Sequence, residues 1–192
     1  LGHEIEGELI ATGPDAKSVT VGKRYVIYPW IGCGECATCQ SGDEHLCAKP
    51  RQIGIQAQGG YATHVLVPHS RYLLEYDPIP RDLAGTYMCS GVTAYSAIAK
   101  LGARAERGPA LIIGLGGVGM MGFSFLRARS PHKPIVIEID PKKREHALAN
   151  GAAAAFDPTD KATRKEIMMA SGGGVLGAID FVGSDKSAAL GF

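Results

Sequence analysis

The chain has 192 residues, 45% of them hydrophobic and 20% charged, and a net charge of +1. That is enough for one large domain or two small ones of ordinary globular composition. A nearly neutral balance excludes a nucleic-acid partner held by a basic field, and no apolar run approaches the roughly 18 residues of a membrane span.

The first third reads as β structure. Residues 4–10 alternate polar and apolar side chains, the period of a half-buried strand. Residues 12–15 form a turn, and residues 24–28 a second strand. Residues 59–68 are expected to be a third strand, closed by Pro68. Short strands and turns of this kind predict a small antiparallel barrel or sandwich up to about residue 85.

A cysteine-rich loop lies between the second and third of these segments. Cys33, Cys36, Cys39 and Cys47 fall within fifteen consecutive positions, and Cys89 stands apart. Thiols at every third residue are poorly placed for disulfides with near neighbours, because a bridge fixes both the separation and the direction of the β-carbons. Four thiolates can instead close a tetrahedron around one zinc ion. Gly32, Gly34 and Gly42 suit the tight turns of such a knuckle. The other readings are a reduced, metal-free loop and an iron–sulfur site. Ferredoxin spacing requires a shorter final gap and a proline after the last cysteine, and here Ala48 follows Cys47.

From residue 89 the period changes. Residues 89–101 carry apolar side chains at helical spacing, and residues 110–113 form a short apolar run of the buried parallel-strand type. Helices are expected at 120–128, 141–150 and 161–169, with strands at 134–140, 153–157 and 178–183. Alternating strands and helices predict a doubly wound parallel sheet. Both ends read as interior to elements: there is no initiator methionine, residues 1–5 look like mid-strand, and residues 187–192 fall in a helix. A fragment is therefore expected. No secretory signal opens the chain, and clustered cysteines without a paired framework fit a reducing cytoplasm.

Gly114, Gly116 and Gly119 follow a buried strand and open a helix, with Glu138 near the end of the next strand. In that context the glycines form a dinucleotide fingerprint. Gly114 permits the turn, Gly116 lets a pyrophosphate approach, and Gly119 allows close helix–strand packing. Glu138 would accept the ribose hydroxyls and repel a 2′-phosphate, favouring NAD over NADP; Asp140 is its rival. His3 and Cys89 read more plainly: a lone strand histidine is usually structural, and a free cysteine is often a small buried hydrophobe. Glu4 would point to the opposite face of a strand from His3. Cys89 at a helix start is expected to have a lowered pKa.

Gly2-His3-Glu4, the four-cysteine lobe, the run from Cys89 to Thr93 and the Gly114 loop, in this order, resemble the motifs of zinc-dependent alcohol dehydrogenases of the medium-chain dehydrogenase/reductase family. Residues 29–33 and 42–47 look like its microbial tetrameric members. The resemblance implies an α/β protein. A partial GroES-like catalytic domain would occupy residues 1–85, with its structural zinc lobe at 33–47, and a partial Rossmann domain would occupy 86–192. It implies that His3 and Cys89 bind a catalytic zinc with Glu4 beside it, while Cys33, Cys36, Cys39 and Cys47 bind a structural zinc. A further cysteine ligand and a proton-relay hydroxyl would lie upstream of this sequence.

Thr93, Gly114, Leu115, Gly116, Gly117, Val118, Gly119, Glu138, Ile139 and Lys143 would bind NAD, with Lys143 able to neutralise Glu138. Trp30 would wall the substrate pocket or be an ordinary core aromatic. The activity implied is hydride transfer between a primary or secondary alcohol and NAD, in a homo-oligomeric cytoplasmic enzyme. Polyol or threonine oxidation is the nearest alternative. A catalytically incomplete, zinc-stabilised dinucleotide-binding module is the alternative of another class.

Overall fold

The computed structural model describes residues 1–191. Phe192, the last residue of the expected terminal helix, lies outside them. The chain divides into two compact units, Leu1–Cys89 and Ser90–Phe192.

In the first unit, β1 (Ile5–Glu8), β2 (Arg24–Ile27) and β3 (Leu73–Leu74) form one antiparallel sheet in the order β1-β2-β3. The register pairs Ile5 with Ile27 and Glu8 with Arg24. Ile5, Ile27, Ile31, Ile53 and Tyr72 pack into its core. The unit also holds two one-turn helices, α1 (Ala37–Gln40) in the cysteine loop and α2 (Arg81–Ala84), and 3-10 turns at Glu44–Leu46, Ser70–Tyr72 and Gly85–Met88.

The described residues contain this three-stranded sheet rather than a closed barrel. Residues 59–68 are not a strand. Gly60 and Tyr61 donate to the carbonyls of Gly2 and Leu1, and the segment then runs on without a ladder. Its alternation is real: Val65 and Val67 pack on the core while Leu66 is 90% exposed. Such a pattern reports which side is covered and carries no information about a hydrogen-bonding neighbour.

Glu6 ties this sheet to the segment that follows it. Its carboxylate accepts a two-pronged bond from Arg24 (2.5 and 2.8 Å), one from Tyr76 (2.8 Å) and one from Arg81 (3.3 Å). Glu6 pairs with Val26, so Arg24, two residues away, shares its face of the sheet. Chiefly through Arg24, the Glu6 pKa is lowered from 4.5 to about 2. A carboxylate depressed in the folded state stabilises above its unfolded value, and that stability is lost as pH falls from about 4.5 towards about 2. The upper limit is about 3 kcal/mol. Glu6→Gln should therefore lower the urea midpoint at pH 7 and flatten the loss of stability in acid. Superimposable stability–pH curves for the two proteins would remove Glu6 from this role.

The second unit contains α3 (Ser90–Ala99), α4 (Arg104–Arg107), β4 (Leu111–Ile113), α5 (Gly117–Arg129), β5 (Ile135–Ile137), α6 (Pro141–Ala149), β6 (Ala154–Phe156), α7 (Thr163–Ala170), β7 (Ala178–Asp180) and α8 (Asp185–Ala188). The strands form one parallel sheet in the order β6-β5-β4-β7. In order of occurrence this is 3-2-1-4, the doubly wound arrangement, with its switch point between β4 and β7.

β4 and β5 are buried on both faces, as their unbroken apolar sequences require. Ile112 and Val136 pack with Ile98, Phe123 and Leu126 on one side. Leu111, Ile113, Ile135 and Ile137 pack with Ile167 on the other. α5 begins at Gly117, earlier than apolar spacing indicates, because its first turn is glycine and shows no pattern. α6 starts where its chemistry says it should: Asp140 caps it by accepting from Lys142 N (2.9 Å), and Pro141 holds the first position.

Candidate functional site

The four lobe cysteines converge. Their sulfurs all lie within 4.8 Å of one another. Individual separations are 3.5 Å for Cys36–Cys39, 3.8 Å for Cys36–Cys47 and 3.9 Å for Cys33–Cys39. A tetrahedron with metal–sulfur bonds of about 2.3 Å has edges of about 3.8 Å, so this donor set fits a zinc ion. All four thiols are free. Backbone N–H groups of Cys33 and Lys49 point at the Cys47 sulfur, at 3.4 and 3.3 Å. The Cys33 pKa is lowered to about 6, first by the backbone N–H of Glu35, and burial pushes Cys39 up to about 12. A bound cation would displace the remaining protons.

His3 and Cys89 meet across 86 positions of sequence: Nε2 lies 3.1 Å from Sγ. Close backbone crossings hold His3 there. Gly2 adopts φ +89°, and its carbonyl accepts from Gly60 N at 2.8 Å. A Cβ on Gly54 or Gly59 would sit 2.3 or 2.2 Å from that carbonyl oxygen. These two glycines were not singled out from the sequence; the Gly59-Gly60 pair was the available signal.

Trp30 stacks edge-on to His3, with centroids 5.5 Å apart, and donates Nε1–H to the Met88 carbonyl at 2.9 Å. Glu4 is exposed and lies at a bend just before β1. The strand geometry expected to separate it from His3 has therefore not begun, and its charge bears on Cys89. The expected lowering of the Cys89 pKa is overturned. Burial first, and Glu4 second, raise it. Cys89 ends a 3-10 turn and immediately precedes α3, but burial and the charge of Glu4 outweigh what the helix N-terminus offers a thiolate there.

In the second unit, Gly114 takes φ +87°, and Gly116 and Gly117 are exposed at the start of α5, which no side chain caps. First-turn N–H groups of a helix attract an anion. Gly119 is buried against the Gly114 carbonyl, and Val118 is half-buried. The Leu115 side chain lies in the core. Its N–H donates to Glu138 Oε2 at 2.6 Å, and Asp140 N–H reaches Oε1 at 3.0 Å. Glu138, 7% exposed, thus anchors the glycine loop and keeps acceptor capacity for hydroxyls.

Asp140 caps α6 through one carboxylate oxygen. Ile139 is 64% exposed, Lys143 is half-buried, and Thr93 is exposed on α3. Arg144 is a cation that reaches this corner. Arg144 Nη1 donates to the carbonyls of Glu138 (2.6 Å) and Ile139 (2.8 Å) and pairs with Asp157 at 3.1 Å. Only the fold reveals this, since α6 carries Lys142, Lys143 and Arg144 in succession.

Residues 1–78 match the family model "Alcohol dehydrogenase GroES-like domain". An NAD-dependent alcohol dehydrogenase of Sulfolobus acidocaldarius is 34% identical over 186 residues, covering 96% of this chain and 53% of that protein. Over nearly its whole length the chain is thus similar to alcohol dehydrogenases. An L-threonine 3-dehydrogenase of Pyrococcus abyssi is 28% identical over 97% of this chain and 53% of its own length. Among solved structures, the D-arabinose dehydrogenase of Sulfolobus solfataricus superposes with a TM-score of 0.88 at 26% identity, over 99% of this chain and 59% of that one. The chain spans about half the length of the curated relatives it matches.

Proposed function

We propose that this chain belongs to the alcohol dehydrogenase family and carries the metal and cofactor machinery of an NAD-dependent, zinc-dependent enzyme acting on small primary or secondary alcohols and the matching aldehydes or ketones. The observation that carries the reading is the approach of His3 Nε2 to Cys89 Sγ, a nitrogen and a sulfur donor brought together from far apart in sequence. Residues 1–85 would supply the metal chemistry, with the structural zinc in the 33–47 lobe, and residues 86–192 the cofactor.

A zinc ion held by His3 and Cys89 would supply Lewis acidity towards an alcohol oxygen, and NAD would supply the hydride acceptor. Glu4 places negative charge beside that pair. Trp30, packed on His3, would limit the alcohol's approach and exclude water. The uncapped first turn of α5, with Gly116 and Gly117, would take the pyrophosphate, and Glu138 the ribose. Its carboxylate disfavours a 2′-phosphate, and hence NADP. Ile139 and Val118 would give apolar contact, and Thr93 would pack on the nicotinamide.

The match to a threonine dehydrogenase supports a hydroxy amino acid such as threonine as the second reading. We place the protein in the cytoplasm as a homo-oligomer, on the strength of its free thiols and its family. Among the described residues no helix is long and apolar enough to cross a membrane. The test is metal analysis paired with NAD-linked turnover of a panel of alcohols, polyols and amino-alcohols. Two zinc ions per chain with turnover are expected; one zinc and no turnover would favour a dinucleotide-binding module.

A further inference from the structure

Glu44 stands where the cysteine lobe meets the body of the first unit, in a 3-10 turn, Glu44–Leu46, just before Cys47. Its side chain is only 16% exposed and faces three donors. Oε2 accepts from Gly32 N (3.2 Å) and from the Tyr72 hydroxyl (2.7 Å), and Oε1 accepts from Arg71 Nη2 (2.6 Å). Arg71 also donates to the Tyr72 oxygen at 2.5 Å and lies 4.7 Å from the centre of its ring.

The partners come from two places: Gly32 at the entry of the lobe, and the adjacent Arg71 and Tyr72 of the 3-10 turn Ser70–Tyr72. Gly32 is the residue before Cys33, so packed that a Cβ on it would lie 2.5 Å from the Cys39 sulfur. Tyr72 belongs to the apolar core with Ile5 and Ile53. Arg71 borders that core. One carboxylate therefore joins the entry of the lobe, its exit and the body beneath it.

We propose that Glu44 is a positioning residue for the lobe metal: it holds Cys33 and Cys47 at the separation the ion requires and couples the lobe to the core through Tyr72. This rests on reading Cys33, Cys36, Cys39 and Cys47 as a metal lobe. Groups that hold ligands in place around a metal change its retention about 10- to 100-fold when removed.

The experiment uses the full chain with cobalt(II) exchanged into the lobe. The decay of thiolate-to-cobalt charge-transfer absorption in excess chelator reads release from the four-sulfur site. Glu44→Ala should speed release about tenfold or more. Glu44→Gln keeps an acceptor of the same length and should recover much of the loss. Tyr72→Phe should speed release in the parent and add little on top of Glu44→Ala, because both remove one connected network. Glu6→Gln, which weakens the same unit without touching the lobe, should leave the rate unchanged.

Parent-like release from Glu44→Ala, or equal acceleration by Glu6→Gln, would overturn the proposal while leaving the metal lobe standing. Failure of the parent to show a four-thiolate spectrum would overturn both.

Discussion

Cys89→Ala should reduce NAD-linked turnover by about three orders of magnitude while the lobe keeps its metal. The thiol is one of two donors converging at 3.1 Å, the other being His3. Removing a ligand removes the Lewis acid, whose contribution is several kcal/mol, and each 1.36 kcal/mol is a factor of about ten in rate. Metal content should fall from two ions per chain to one. Thermal stability should change little, since Cys89 lies outside the buried clusters and its loss opens a small space beside His3. A lobe substitution such as Cys39→Ser should show the opposite order: metal and stability go first, because Cys39 is buried among its partners. Turnover of Cys89→Ala within a few-fold of the parent would take Cys89 out of the chemistry.

The contrast between the cysteine lobe and the His3–Cys89 pair explains what could be read from residues alone. The lobe is local: its four sulfurs lie within fifteen positions, and backbone turns suffice to gather them. The His3–Cys89 pair is built by the fold, and neither residue has a neighbour in sequence that marks it. Only resemblance to a family singled them out. The thiol's environment was misread for the same reason. Helix position lowers a pKa locally, but burial and the charge of Glu4, both products of tertiary structure, act on Cys89 and raise it.

The parallel sheet was legible because buried strands and amphipathic helices differ in period. Residues 59–68 show the limit: alternation gave the covered side correctly and said nothing of a partner strand. Glu44, Gly54 and Gly59 were missed because each acts through residues distant in sequence, and Arg144 because it stands beside two other cations on α6. Asp140 and Glu138, two positions apart on one segment, look alike in sequence; in the fold Asp140 caps α6 while Glu138 anchors the glycine loop.

Gly116→Ala and Gly119→Ala should both weaken NAD binding, for different physical reasons that a stability measurement separates. Gly116 has φ −69° and ψ −172°, which any residue adopts, and a Cβ there meets nothing within 4 Å. The variant should fold at least as well as the parent, since alanine restricts the unfolded chain. Its new methyl would occupy the surface where the pyrophosphate is proposed to lie. One crowded methyl costs about 1–3 kcal/mol, which is about a ten- to hundredfold loss of affinity. Gly119 is the reverse case. Its Cβ would lie 2.0 Å from the Gly114 carbonyl oxygen, a backbone atom that cannot swing aside. α5 must then move away from β4, so Gly119→Ala should lower the denaturation midpoint as well as the affinity. NADH fluorescence titration beside urea unfolding distinguishes the two. Parent-like NADH affinity in Gly116→Ala would mean that the dinucleotide does not approach the exposed edge of this loop, and the cofactor site would have to be sought elsewhere.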